Sequence, residues 1–121
     1  MTRVKRALVF ALVAAAWPVA AGAQDAARGE ALFMRLCKGC HRLTDSVMVG
    51  PGLAGVTARR GDQWLRRWLE DPPAMRSTDP DAQTLSKPFR SHMRKIKDME
   101  SMENREDIIA YLKNASGGLN K

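Results

Sequence analysis

The chain has 121 residues with a formal net charge of +7, and 27% of its residues are charged. This length allows one small domain, and its two cysteines, three positions apart, cannot staple distant parts of a fold. Aromatic residues make up 6% of the chain and do not interleave with the basic ones, so we do not expect nucleic acid as a partner.

The first predicted element is a signal peptide over residues 1–23. Three basic residues within the first six precede an unbroken apolar run over residues 7–17, and Ala21-Gly22-Ala23 supplies the small side chains of a cleavage site. The run is shorter than the roughly 20 apolar residues that a membrane-spanning helix needs. We therefore expect export to the periplasm, cleavage near Ala23, a mature domain over residues 24–121 and no stable membrane insertion afterwards. Removal of the three basic residues lowers the net charge to +4.

Two helices are predicted in the first half of the mature chain. Asp25 can cap a helix that runs from about residue 26 into Cys40. Asp62 can cap a second helix over residues 63–70, and the two prolines that follow end it. Between these helices, glycine and proline predict turns rather than regular structure.

The second half predicts one long helix. Residues 71–91 are rich in Pro, Asp, Ser and Thr and predict a long surface excursion with a short helical turn over residues 81–85. Asn104 can cap a final helix that Gly117-Gly118 ends. No segment has convincing strand character, so we expect an all-α fold of three to four short helices. Its long loops require an organising cofactor around which they wrap.

The motif Cys37-Lys38-Gly39-Cys40-His41 indicates which cofactor this is. C-x-x-C-H is the attachment signature of c-type haem, in which both cysteines form thioethers to the haem edge and the histidine binds the iron. A zinc site would need four ligands, and only His92 could be added to the three residues of the motif. A thioredoxin-like pair would follow a strand, and a disulfide at this spacing would restrain almost nothing.

Features on both sides of this motif carry a family resemblance. Gly29 and Phe33 precede it, Gly50-Pro51-Gly52-Leu53 follows it, and Ala110-Tyr111-Leu112 lies in the final helix. With these features, residues 25–116 resemble the class I monohaem c-type cytochromes of the periplasmic bacterial type. The resemblance implies one covalent haem c, iron ligation by His41, and a Pro51 carbonyl that accepts the imidazole N–H. It also implies that the final helix crosses the first beside Gly29.

The same resemblance implies a methionine as the distal iron ligand. Met93 lies 18 residues before Tyr111, which matches the position of the ligand in the family. Arg94 follows it, where many relatives have a proline. Met99 and the neighbouring His92 remain alternative ligands, and His92 would lower the reduction potential because a second imidazole replaces a thioether.

We therefore expect a periplasmic single-electron carrier, or the electron-transfer subunit of a redox enzyme, rather than an enzyme in its own right. Its partners would be a redox donor and a redox acceptor with acidic docking surfaces, because a basic run over residues 94–97 lies beside the expected ligand. The alternative is a small-molecule-binding or peroxidase-like haem protein, which requires an open sixth position on the iron.

Overall fold

The computed structural model describes residues 24–117, which form six α-helices and one short 3-10 helix. The α-helices are α1 (Ala26–Leu36), α2 (Val56–Arg59), α3 (Asp62–Glu70), α4 (Pro72–Thr78), α5 (Pro80–Ser86) and α6 (Met102–Gly117), and the 3-10 helix is Lys97–Glu100. No strand occurs in this range, so the all-α prediction is confirmed, although the helices outnumber the three to four expected. The expected signal peptide over residues 1–23, and the predicted stop at Gly118, lie outside the described residues.

The two long helices, α1 and α6, cross at Gly29. A Cβ at this position would lie 1.9 Å from the carbonyl oxygen of Asp107, so only glycine allows the backbones to approach this closely. Four residues on, Phe33 packs against Tyr111 with ring centroids 5.5 Å apart. At the N-terminal end of α1, the buried Asp107 carboxylate accepts a hydrogen bond of 2.7 Å from the Asp25 amide. The crossing expected from the family resemblance is confirmed.

The hydrophobic core joins this helix pair to α3 and the 3-10 helix. Leu65 and Leu69 of α3 are buried, one turn apart, against Met99, Ile108 and other apolar residues of the same cluster. The other side of α3 carries arginines that pair with carboxylates, as the amphipathic pattern predicts. Within residues 24–117, no helix is both long enough and apolar enough to cross a membrane.

The surface excursion predicted over residues 71–91 is wrong for residues 72–78, which form α4, whereas the short helical turn predicted over residues 81–85 is confirmed as part of α5. Each helix has a proline at its first position, where the missing N–H costs no hydrogen bond. Each is capped by the preceding aspartate: Asp71 accepts from the Ala74 amide at 3.0 Å, and Asp79 from the Ala82 amide at 2.9 Å. The prolines therefore begin helices here as well as ending one.

Three predicted helix ends also differ from the structure. The first helix ends at Leu36 rather than at Cys40. The helix α3 includes Asp62 as its first residue, and Gly61 occupies the capping position. The last helix begins two residues before Asn104, because the Ser101 hydroxyl accepts from the Asn104 amide at 3.3 Å and so provides the cap.

Candidate haem site

The C-x-x-C-H motif forms a tight turn immediately after α1. The amides of Cys40 and His41 both donate to the carbonyl of Cys37, at 3.1 Å and 3.0 Å. These two bonds fold residues 37–41 into a turn that directly follows the end of α1.

The two cysteines have different surroundings. Cys37 is buried in the hydrophobic core, whereas Cys40 is exposed, and neither forms a disulfide. Burial, with a smaller contribution from the nearby Cys40, raises the pKa of the Cys37 thiol to about 11. Near neutral pH Cys37 is therefore a protonated thiol. Both sulfur atoms remain available for thioether bonds.

The His41 ring is held by the loop that follows it. Its Nδ1 atom lies 2.9 Å from the Pro51 carbonyl oxygen, the partner implied by the family resemblance. With the proton on Nδ1, the ring donates this hydrogen bond and keeps the Nε2 lone pair free for a metal. A carbonyl in this place also fixes the ring orientation and increases the basicity of the ligand nitrogen.

A second residue of the loop shapes the space around the histidine. The Gly50 amide donates to the Cys40 carbonyl at 2.9 Å, so the loop is tied back to the motif. A Cβ on Gly50 would lie 2.5 Å from Cε1 of His41, and the ring therefore packs directly on the glycine backbone. Sequence reasoning assigned a role to Pro51 only. The glycine before that proline was the signal that could have indicated this contact.

The three candidates for the distal ligand differ in burial. Met93 is half-buried and packs against the core cluster that contains Cys37. Met99 is 1% exposed and belongs to the core itself, while His92 is exposed on the surface. Of the three, only Met93 packs against the core while it remains partly exposed.

These donors fit haem c. The motif offers two unpaired thiols and an imidazole whose Nε2 is free of hydrogen bonds, which are the groups that a covalent haem with a histidine ligand requires. Across the described part of the chain, no three His, Cys, Asp or Glu side chains converge as a metal ion would need. The arrangement therefore does not support the zinc site considered from the sequence.

Comparisons with known proteins identify one family. The Cytochrome c family profile matches residues 26–116. A segment of 37 residues is 62% identical to a cytochrome c2 of Rhodopseudomonas palustris, and it covers 31% of this chain and 31% of that relative. Cytochrome c from Rhodothermus marinus has a similar structure, with a TM-score of 0.72 and 31% identity over 77% of this chain and 78% of that one. A cytochrome c domain from Pseudomonas putida has a TM-score of 0.65, with 30% identity over 76% of this chain and 91% of that domain.

Proposed function

The chain belongs to the cytochrome c family, whose members bind haem c covalently, and on that basis we propose that it is a periplasmic single-electron carrier. Cys37 and Cys40 hold the haem, and His41 and Met93 are the axial ligands. When bound, the haem supplies one-electron exchange at its iron. The observation that carries the proposal is the contact between Nδ1 of His41 and the Pro51 carbonyl, because it presents Nε2 as a fixed ligand.

Two filled axial positions suit electron transfer rather than catalysis. A histidine and a methionine that both remain bound leave no open position for a substrate, and they keep the ligand geometry similar in both oxidation states. The cytochrome c2 relatives support this function over the peroxidase-like alternative considered from the sequence. Whether the protein works freely or as the subunit of a larger enzyme depends on its partners.

The choice of Met93 rests on burial and position. To bind a cofactor, the buried Met99 would have to leave the core, and it would then leave a cavity between the 3-10 helix and α6. Met93 is only half-buried, so it can turn toward a cofactor without leaving such a cavity. His92, one residue earlier in an irregular segment, is exposed.

A visible spectrum of the ferric holoprotein tests this ligation. We expect a low-spin spectrum with the weak sulfur-to-iron charge-transfer band at its red edge, and we expect Met93→Ala to abolish that band. His92→Ala and Met99→Leu are the matched controls and should keep it, because Met99→Leu removes the sulfur but fills most of the same volume in the core. Loss of the band in either control, or its survival in Met93→Ala, contradicts the proposed ligand. A high-spin ferric spectrum of the unaltered protein, or ready binding of carbon monoxide, contradicts the carrier function itself.

The charge distribution supports redox partners with acidic surfaces. Within residues 24–117, several arginines of α3 and its neighbours already pair with carboxylates, such as Arg66 with Glu106 and Arg67 with Asp79. Seven exposed cations have no carboxylate within salt-bridge distance there. One of them, Arg59, donates to the Ala54 carbonyl instead. The other six lie close in sequence to the cysteine motif or to Met93: Lys38, Arg42, Lys87, Arg90, Arg94 and Lys97. Unpaired cations of this kind raise the rate of encounter with a negatively charged protein.

The mass of the mature protein tests whether the chain is exported and cleaved. We propose that residues 1–23 are removed and that the mature domain begins at Gln24. The mass of the holoprotein from a periplasmic extract should correspond to residues 24–121 plus one haem. A haem-bearing chain that retains its first 23 residues contradicts this part of the proposal.

A further inference from the structure

The segment that carries Met93 has little support from its own backbone. It connects α5 to the 3-10 helix, and residues 90–95 form neither helix nor strand. No backbone–backbone hydrogen bond involves these six residues within the described chain. The position of Met93 must therefore be set by contacts with other parts of the molecule.

Two such contacts come from α4 and from Asp71, the residue that caps it. The Arg76 side chain donates a hydrogen bond from Nη1 to the Met93 carbonyl oxygen, at 2.8 Å and in a partly buried place. Two residues further along the segment, Nζ of Lys95 lies 3.5 Å from an oxygen of Asp71. Asp71 precedes Arg76 by five residues, so α4 and the Met93 segment run in opposite directions side by side. The two contacts are spaced by about 7 Å along both.

The helix that makes these contacts is itself firmly placed. Pro72 and Met75 are buried on its inner face, and the Asp71 side chain caps its first turn. Arg76 therefore extends from a fixed base toward the Met93 carbonyl. Within residues 24–117 no carboxylate lies within salt-bridge distance of Arg76, and the Met93 carbonyl receives no other hydrogen bond. The guanidinium and this carbonyl are thus each other's specific partners.

We infer that Arg76 is a positioning residue for the distal iron ligand. By holding the backbone of Met93 it keeps the thioether directed at the core, with Lys95 and Asp71 as a weaker second tether. This inference rests on the proposed axial role of Met93. A hydrogen bond from a charged donor such as this guanidinium is stronger than one from a neutral donor.

Competition with free imidazole measures how firmly Met93 is held. In the ferric holoprotein, imidazole binds the iron only when the methionine is released, so a looser segment gives tighter imidazole binding. We expect Arg76→Met to tighten imidazole binding about tenfold, which corresponds to about 1.4 kcal/mol. Arg76→Lys keeps the charge but not the reach and geometry of the guanidinium. Its imidazole affinity should therefore fall between those of the unaltered protein and Arg76→Met. Lys95→Met should have a smaller effect, because a half-exposed ion pair at this distance contributes little.

Arg67→Met is the matched control. It removes one arginine and one ion pair next to the end of α4 but touches no residue of the Met93 segment. We expect its imidazole affinity to equal that of the unaltered protein. If Arg76→Met matches Arg67→Met, the inference is wrong. If Arg76→Met yields no holoprotein, the imidazole affinities of Arg76→Lys and Arg67→Lys are compared instead. Tighter binding by Arg76→Lys supports the positioning role, and equal binding by the two variants overturns it.

The same measurements separate this inference from the function on which it rests. If Met93→Ala keeps the charge-transfer band, the ligand assignment fails and the inference fails with it. If Met93→Ala loses the band while the Arg76 variants bind imidazole as the unaltered protein does, the ligand stands and only the role of Arg76 is refuted.

Discussion

Replacing Gly29 with alanine tests the helix crossing most directly. The new Cβ would lie 1.9 Å from the carbonyl oxygen of Asp107, and an ordinary contact is at least 3.4 Å, so α1 and α6 would have to separate by roughly 1.5 Å. The obstacle is backbone, which cannot rotate away as a side chain can. Overpacking typically costs about 1–3 kcal/mol, and a backbone obstacle belongs at the upper end of that range.

A gain in helix propensity opposes this cost. Alanine inside a helix is about 1 kcal/mol more favourable than glycine, so the expected net loss for Gly29→Ala is about 2 kcal/mol. For a domain of this size, that loss lowers the melting temperature by roughly 8–16 °C. Thermal unfolding of the holoprotein, followed by far-ultraviolet circular dichroism, measures the shift.

The matched control is Gly39→Ala, because a Cβ on Gly39 meets no atom within 4 Å. We expect this variant to melt within a few degrees of the unaltered protein. A Gly29→Ala protein that melts at or above the temperature of the unaltered protein would refute the argument. It would mean that helix propensity outweighs the contact and that the two helices do not depend on their close approach.

Three further predictions concern the haem site, the core and the acid range. Gly50→Ala should reduce haem incorporation severalfold, measured as haem absorbance per polypeptide, because its Cβ would displace the His41 ring. Met99→Ala should cost about 2–5 kcal/mol in denaturant unfolding, since the side chain is 1% exposed. The Arg66 guanidinium lowers the pKa of Glu106 below 4.5, so this carboxylate stabilises the fold above pH 4.5 and the contribution disappears as the pH falls through the lowered value. Glu106→Gln should therefore lose less stability than the unaltered protein when the pH falls below 4.5.

Each of these three predictions has a comparison variant and an outcome that would contradict it. Met102→Ala removes a methionine that is 64% exposed and should leave the unfolding midpoint unchanged. Equal effects of Met99→Ala and Met102→Ala would contradict the core position of the former. Haem content of Gly50→Ala at the level of Gly39→Ala would contradict the packing of the His41 ring. Parallel acid unfolding of Glu106→Gln and the unaltered protein would show that the Arg66 pair does not contribute.

The sequence predicted those features that depend only on residues near one another in the chain. The cysteine motif, the turn-rich loop after it and the apolar faces of α1, α3 and α6 all follow from residues close together in the chain. The crossing at Gly29 required the family resemblance, since nothing in α1 alone says which helix meets it. The choice of Met93 is still a prediction.

The failures have identifiable physical causes. Residues 71–91 contain prolines and aspartates that usually indicate loops, yet Asp-Pro is also the pattern of a capped helix start, and α4 and α5 use it in that way. Because α4 was missed, its contact between Arg76 and the Met93 carbonyl could not be anticipated. That contact joins residues 17 positions apart and exists only once helix and loop have docked.

The hydrogen bond between the Asp25 amide and the Asp107 side chain joins residues that are 82 positions apart in the sequence. During synthesis, α1 emerges early but has no partner until α6 has followed, so the core cannot form on an incomplete chain. Contacts this distant in sequence also slow folding, because most of the polypeptide must be gathered before they form. A copy truncated before Met102 therefore exposes the apolar side of α1 to proteases.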